Sequence, residues 1–141
     1  AQAGRLFLAM REEEGLVYHV SAGSTEGIDC GHVSFYAATS HEKLARAREV
    51  LERERVRLCR EPIPREEVER AQAWLVGQGD AAPQRRGRVA SLLAFNEVYG
   101  LGHAAHFSYA RRIEAVRARD VTALANAILR PTRQVTSIVS G

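Results

Sequence analysis

Five histidines, His19, His32, His41, His103 and His106, and two cysteines, Cys30 and Cys59, are the side chains of this sequence best suited to holding a metal. A zinc hydrolase of the inverted type needs HxxEH, two imidazoles one helical turn apart with a glutamate beside the metal-bound water. No pair of these histidines has that spacing with an acidic neighbour, so catalytic zinc is not expected on this segment. His103 and His106 could share a metal from adjacent turns, but their segment opens on glycines and offers no nearby carboxylate, which favours surface or capping roles. His19 and His32 belong to two alternating segments and are expected to face one another across a hairpin. Cys30 and Cys59 lack CxxC spacing and read as incidental thiols; a bridge between them becomes possible only in an oxidising compartment.

Other signatures are missing as well. Gly100 and Gly102 follow a helical pattern rather than a strand, so they are not a dinucleotide fingerprint, and neither GxxxxGK nor GxSxG occurs. The net charge of +3 is mild. Arginines cluster at Arg55, Arg57 and Arg60 and at Arg85, Arg86 and Arg88, but no aromatic side chain interleaves with them to stack bases, and nucleic-acid binding is not expected. Every apolar stretch is interrupted within a few positions, which excludes a membrane-spanning helix.

The elements that would position any site can be read from periodicity. Leu6, Ala9 and Met10 share one face of a helix over residues 4–14, and Gly15 follows as its C-terminal glycine. Leu16 to Ala22 alternates, placing Leu16, Tyr18 and Val20 on one side and Val17, His19 and Ser21 on the other. After a Gly- and Ser-rich loop, Gly23 to Gly31, alternation resumes from His32 to Thr39, giving a long-looped antiparallel hairpin. Ser40 is a suitable N-cap for a helix with the apolar stripe Leu44, Ala47, Leu51 and Leu58. Pro64, Glu66 and Glu67 open a third helix with Val68, Ala71 and Leu75 as its buried face. Gly77, Gly79, Pro83 and Gly87 are expected to break it before the pattern resumes at Val89 and runs to Tyr99. Two short helices follow between His106 and Leu129, and Val135, Ser137 and Val139 alternate as a closing strand. The order predicts an α+β domain, a mainly antiparallel sheet with helices on one face, spanning residues 1–141 as a single partial domain.

The run Arg5 to Val20, RLFLAMREEEGLVYHV, resembles the C-terminal-half motif of the pitrilysin, insulinase and mitochondrial-processing-peptidase family of zinc metallopeptidases. Further matches follow in order: GHVSFYAATS, HEKLARAREVLERE, PIPREEVERAQAWLVG, VYGLG and RIEAVRARDVTALANAILRP. The likeness implies a half domain that lacks the opening strand and helix of its family. In that family an N-terminal half carries HxxEH and the C-terminal half supplies an arginine and a tyrosine, which by motif fall on Arg11 and Tyr18. The residue before the last helix, usually Thr in the family, is Arg117 here.

The resemblance implies that Arg11 and Tyr18 hold a substrate carbonyl and its developing oxyanion opposite zinc on another domain or subunit. Read from the residues alone, Arg11 could equally cap its helix, and Tyr18 could pack beside Leu16 and Val20. No activity is expected from this segment alone. The implied partners are a zinc-bearing half domain or homologous subunit, a peptide substrate, and a second copy through an exposed sheet edge. The alternative is a catalytically silent scaffold or peptide-binding subunit of the same family. The chain reads as soluble, with cytoplasm and periplasm both open.

Overall fold

The structure, a computed structural model, describes residues 4–81 and 86–140. Ala1, Pro83 and Arg85, and the side chain of Arg86, lie outside the described residues. Two compact units are present: one runs to Glu61 and resumes at Ala125, and the other spans Pro62–Leu124. No described helix is long and apolar enough to cross a membrane.

In the first unit, a single α-helical turn, α1 (Arg5–Phe7), passes directly into a π-helical turn, Leu8–Glu13. The sequence pattern marks this stretch as helical but does not anticipate the wider winding. Gly15 ends it with φ +56°, the left-handed conformation that glycine adopts without a Cβ penalty. The Leu16 N–H then donates to the Met10 carbonyl at 2.7 Å, six residues back, closing the wide end of the π turn. From the other side, Lys43 Nζ donates to the Gly15 carbonyl at 2.9 Å and Thr39 Oγ1 to the Leu16 carbonyl at 2.6 Å.

The hairpin is β1 (Val17–Thr25) and β2 (His32–Thr39), paired antiparallel. Its ladder extends to Thr25↔His32, so the connecting loop is shorter than the glycine and serine content predicts. The register slips once: Val17 pairs with Thr39 but His19 pairs with Ala38, leaving Tyr18 as the extra residue of a β-bulge. Two expectations fall with that slip. Tyr18 does not share the buried face of Leu16 and Val20, because a bulge resets alternation. Nor do His19 and His32 face each other, since their partners are Ala38 and Thr25.

A 3-10 turn, His41–Lys43, leads into α2 (Leu44–Arg60). Ser40 stands at the cap position through its backbone carbonyl, which accepts from the Lys43 N–H at 3.1 Å, and its hydroxyl makes no cap bond. The core joins Ala9 and Met10 of the π turn, Leu16 and Val17, and Ala47 and Val50 of α2, with Leu6, Val20, Ala37 and Leu51 packed around it. Met10 and Val50 are fully buried, each contributing about 1.5–3 kcal/mol by its removal from water. Helices thus pack on an antiparallel hairpin, the α+β arrangement expected. The expected stripe of α2 is turned inward, with Ala47 buried and Leu44, Leu51 and Leu58 partly buried, and Val50 and Glu54 join Ala47 as its most buried positions. Buried Glu54 is admitted there because Arg57 Nη1 donates to both its oxygens at 3.0 Å and Arg53 Nε to one at 3.2 Å. Within the arginine cluster, Arg55 pairs with Glu52 and Arg57 with Glu54 and Glu61.

The expected closing strand is not formed. Residues 134–140 make no ladder, and Val135 and Val139 are 95% and 96% exposed. Alternation states a preference for a pleated, half-covered surface, but a strand also needs a neighbouring edge, and β1 and β2 pair only with each other among the described residues.

The second unit contains α3 (Arg65–Ala81), α4 (Arg86–Val98), a 3-10 turn (His103–Ser108) and α5 (Tyr109–Glu114). Its last element, α6 (Ala118–Ile128), leads back into the first unit. Contrary to expectation, α3 continues through Gly77 and Gly79. The reason at Gly79 is tertiary: a Cβ there would meet the Tyr109 ring at 2.6 Å, so glycine is what lets that ring lie against the helix. Gln72 Nε2 lies 3.1, 3.0 and 2.9 Å from the carbonyls of Ile113, Glu114 and Val116, so its two N–H donors are shared among three acceptors just past the end of α5. Arg117 has no side-chain oxygen to cap α6, but its carbonyl accepts from the Asp120 N–H at 2.9 Å and the Asp120 carboxylate reaches back to accept from the Arg117 N–H at 2.9 Å. No described residue from Pro62 to Leu124 is fully buried.

Candidate functional site

Both residues singled out by motif stand on backbone irregularities. Arg11 lies in the π-helical turn, and Tyr18 is the extra residue of the bulge. Each device re-aims a side chain that regular winding would send elsewhere, and each recurs at functional sites. Arg11 and Tyr18 are both exposed, the tyrosine at 76%.

The two are joined through the main chain. Arg11 Nη1 donates to the Tyr18 carbonyl at 2.9 Å, reaching across Gly15 to the strand instead of capping its own helix. The Phe7 ring lies under the same guanidinium, 5.6 Å from Cζ to the ring centroid, within cation–π range. One nitrogen is therefore occupied while the guanidinium keeps further N–H donors, and the phenol keeps its own. An exposed guanidinium can hold a carbonyl oxygen and favour negative charge growing on it, and an exposed phenol can donate one hydrogen bond of the same kind.

Surrounding charge leaves Arg11 available. Glu14, at the end of the same helix, accepts from Arg46 Nε at 2.7 Å and Nη2 at 3.0 Å and from Arg53 Nη1 at 3.1 Å. The Arg46 hydrogen bonds, followed by those of Arg53, hold its carboxyl below the ordinary value of 4.5. Glu14 thus stays charged and turned toward α2. Further along β1, the His19 ring lies 5.7 Å from that of Tyr36.

The remaining candidates do not converge. His103 has a carboxylate neighbour that its local sequence did not suggest: Glu97 Oε1 accepts from the His103 N–H at 2.8 Å and lies 2.7 Å from Nδ1. The backbone bond, then the ring, hold Glu97 below 4.5. His106 instead stacks obliquely on Phe107 at 5.6 Å. Among the described residues no three His, Cys, Asp or Glu side chains are placed to hold one metal ion. Cys30 and Cys59 are free thiols. Sequence reasoning missed Phe7, although its position four residues before Arg11 places it one helical turn away.

Comparison with known proteins gives one direction. The profile of the family described as Peptidase M16 inactive domain matches residues 1–75. An uncharacterized zinc protease of Rickettsia bellii is 36% identical over 73 residues, which is 52% of this chain but 18% of that protein. Among solved structures, the inactive peptidase domain of a provisionally assigned zinc protease from Bordetella parapertussis matches with a TM-score of 0.74 at 21% identity. That match covers 93% of this chain and 71% of the other. A provisionally assigned zinc protease from Bordetella pertussis Tohama I gives a TM-score of 0.73 at 20% identity, covering 94% and 73%. The periplasmic protease PqqL of Escherichia coli gives 0.61 at 16% identity, covering 86% of this chain and 14% of that one. At these identities the structural likeness is one of fold. The chain spans less than a fifth of the Rickettsia relative's length.

Proposed function

The chain belongs to the M16 peptidase inactive-domain family, and from that premise we propose that it is the non-catalytic half of a zinc metalloendopeptidase. On this reading it completes a peptide-binding chamber and presents Arg11 and Tyr18 to a substrate carbonyl. Zinc belongs to a second domain or subunit and supplies the activated water. This chain's own residues bind and orient: Arg11 offers a permanent positive charge, and Tyr18 offers one short O–H hydrogen bond to the oxygen that gains charge.

The observation that carries the reading is the pairing of irregularities. A π-helical turn and a β-bulge, seven residues apart from Arg11 to Tyr18, expose both donors, and the Arg11 bond to the Tyr18 carbonyl ties them together. Core packing alone would not require either device. In the assembled enzyme, Arg11→Ala and Tyr18→Phe are each expected to lower peptide turnover roughly a hundredfold or more. Unchanged turnover in both variants overturns the assignment.

A second reading keeps the fold and discards the chemistry. Arg11 already uses one donor on the main chain, as a purely structural clamp would. In a silent scaffold of the same family, Arg11 and Tyr18 only pack or bind peptide. An HxxEH in the same polypeptide or in a partner favours the peptidase; its absence from both favours the scaffold.

A further inference from the structure

We infer that Phe7 is a positioning residue for the Arg11 guanidinium, an inference that rests on the peptidase reading of Arg11 and Tyr18. Arginine side chains on an exposed surface sample many rotamers, so a guanidinium that must meet a substrate oxygen has to be held. Arg11 has two restraints. The Tyr18 carbonyl fixes one end, accepting from Nη1 at 2.9 Å. A single hydrogen bond fixes a distance but leaves the guanidinium plane free to turn about it. The Phe7 ring, 5.6 Å from Cζ, supplies the second restraint. Its negative face attracts the cation without consuming an N–H donor, which leaves the unbound donors for a ligand.

The chain has built a rigid base for this contact. Phe7 ends α1 where it turns into the π helix, half-buried, and the π turn that follows carries Ala9 and Met10 into the core. The ring thus stands three residues before Met10, which is fully buried and anchors this stretch of backbone in the core. Aliphatic bulk at position 7 would fill the same space but would lack the charged attraction. An aromatic residue is thus required for orientation, and shape alone does not suffice.

The test separates ring from bulk in the assembled enzyme. Phe7→Leu keeps apolar volume and removes the ring face, and Phe7→Tyr keeps the face. Phe7→Leu is expected to lower kcat about two- to fivefold with little change in KM, and Phe7→Tyr to restore kcat, following the usual strength of an exposed cation–π pair. On the chain itself, the Arg11 side-chain protons should lose their ring-current shift in Phe7→Leu and keep it in Phe7→Tyr. Equal kcat for the Leu and Tyr variants, with Arg11→Ala still impaired, overturns the role of Phe7 and leaves the site reading standing. If Arg11→Ala itself turns over normally, the site reading fails and the positioning role fails with it.

Discussion

The Arg11 guanidinium donates to the main-chain carbonyl of Tyr18, not to its phenol. Stability and activity should therefore separate. Tyr18→Phe removes only the hydroxyl of a side chain that is 76% exposed, so its unfolding free energy should stay within about 0.5 kcal/mol of the parent. Arg11→Ala deletes the hydrogen bond and the Phe7 contact, and should cost about 1 kcal/mol. Denaturant melts of the two variants beside the parent chain check this. A large loss in Tyr18→Phe would mean that the phenol holds the fold.

Two glycines in one helix should respond oppositely to alanine. Gly77 meets nothing within 4 Å, so Gly77→Ala should gain roughly 0.5–1 kcal/mol from helix propensity. Gly79→Ala gains the same propensity but drives a methyl into the Tyr109 ring, and should lose about 1–3 kcal/mol net. Thermal melts of both variants decide it, and equal shifts would remove the Tyr109 contact as the reason for glycine.

Acid should loosen the first unit through Glu14. Its carboxyl lies below 4.5 in the folded chain because of Arg46 first and then Arg53, so the folded state binds its proton less readily than the unfolded one. The stabilisation is present above pH 4.5 and is lost as pH falls through the lower folded value. Glu14→Gln should therefore be less stable than the parent at neutral pH, and the two stability curves should converge in acid. Parallel curves over that range would show that the ion pairs contribute nothing measurable.

Hydrogen exchange should divide the chain. Met10 and Val50 anchor the first unit at 0% exposure, whereas no described residue from Pro62 to Leu124 is fully buried. Trp74, Phe95 and Phe107 are 50%, 59% and 83% exposed. Amides of α3, α4 and α5 should exchange faster than those of α2 and β1 near the core. Uniform protection across both units would contradict that ranking.

Much of this was readable from residue order, and the failures share a cause. Gly15 announced its own left-handed turn, and Pro64 announced the start of α3 at Arg65, because these depend on local backbone chemistry. The first helix and the hairpin also followed from periodicity. Missed features required knowledge of which side chains and strands meet in three dimensions. Nothing near Gly79 predicts Tyr109, nothing near Glu54 alone predicts an inward carboxylate held by flanking arginines, and the Val135 to Val139 alternation cannot state whether an edge is present to receive it. At the site, motif selected Arg11 and Tyr18, but the strand pattern turned the tyrosine inward. The bulge could not be read, since an extra residue leaves no mark until the opposite strand is known.

That extra residue makes β1 a strand with two phases. Up to Val17 it keeps step with the interior, and beyond His19 it keeps step with β2 one position later. Excising Tyr18 would merge the phases and give a more regular ladder, while removing the exposed phenol. The hairpin therefore carries its less regular step where the phenol is exposed, and a shortened chain should fold at least as readily.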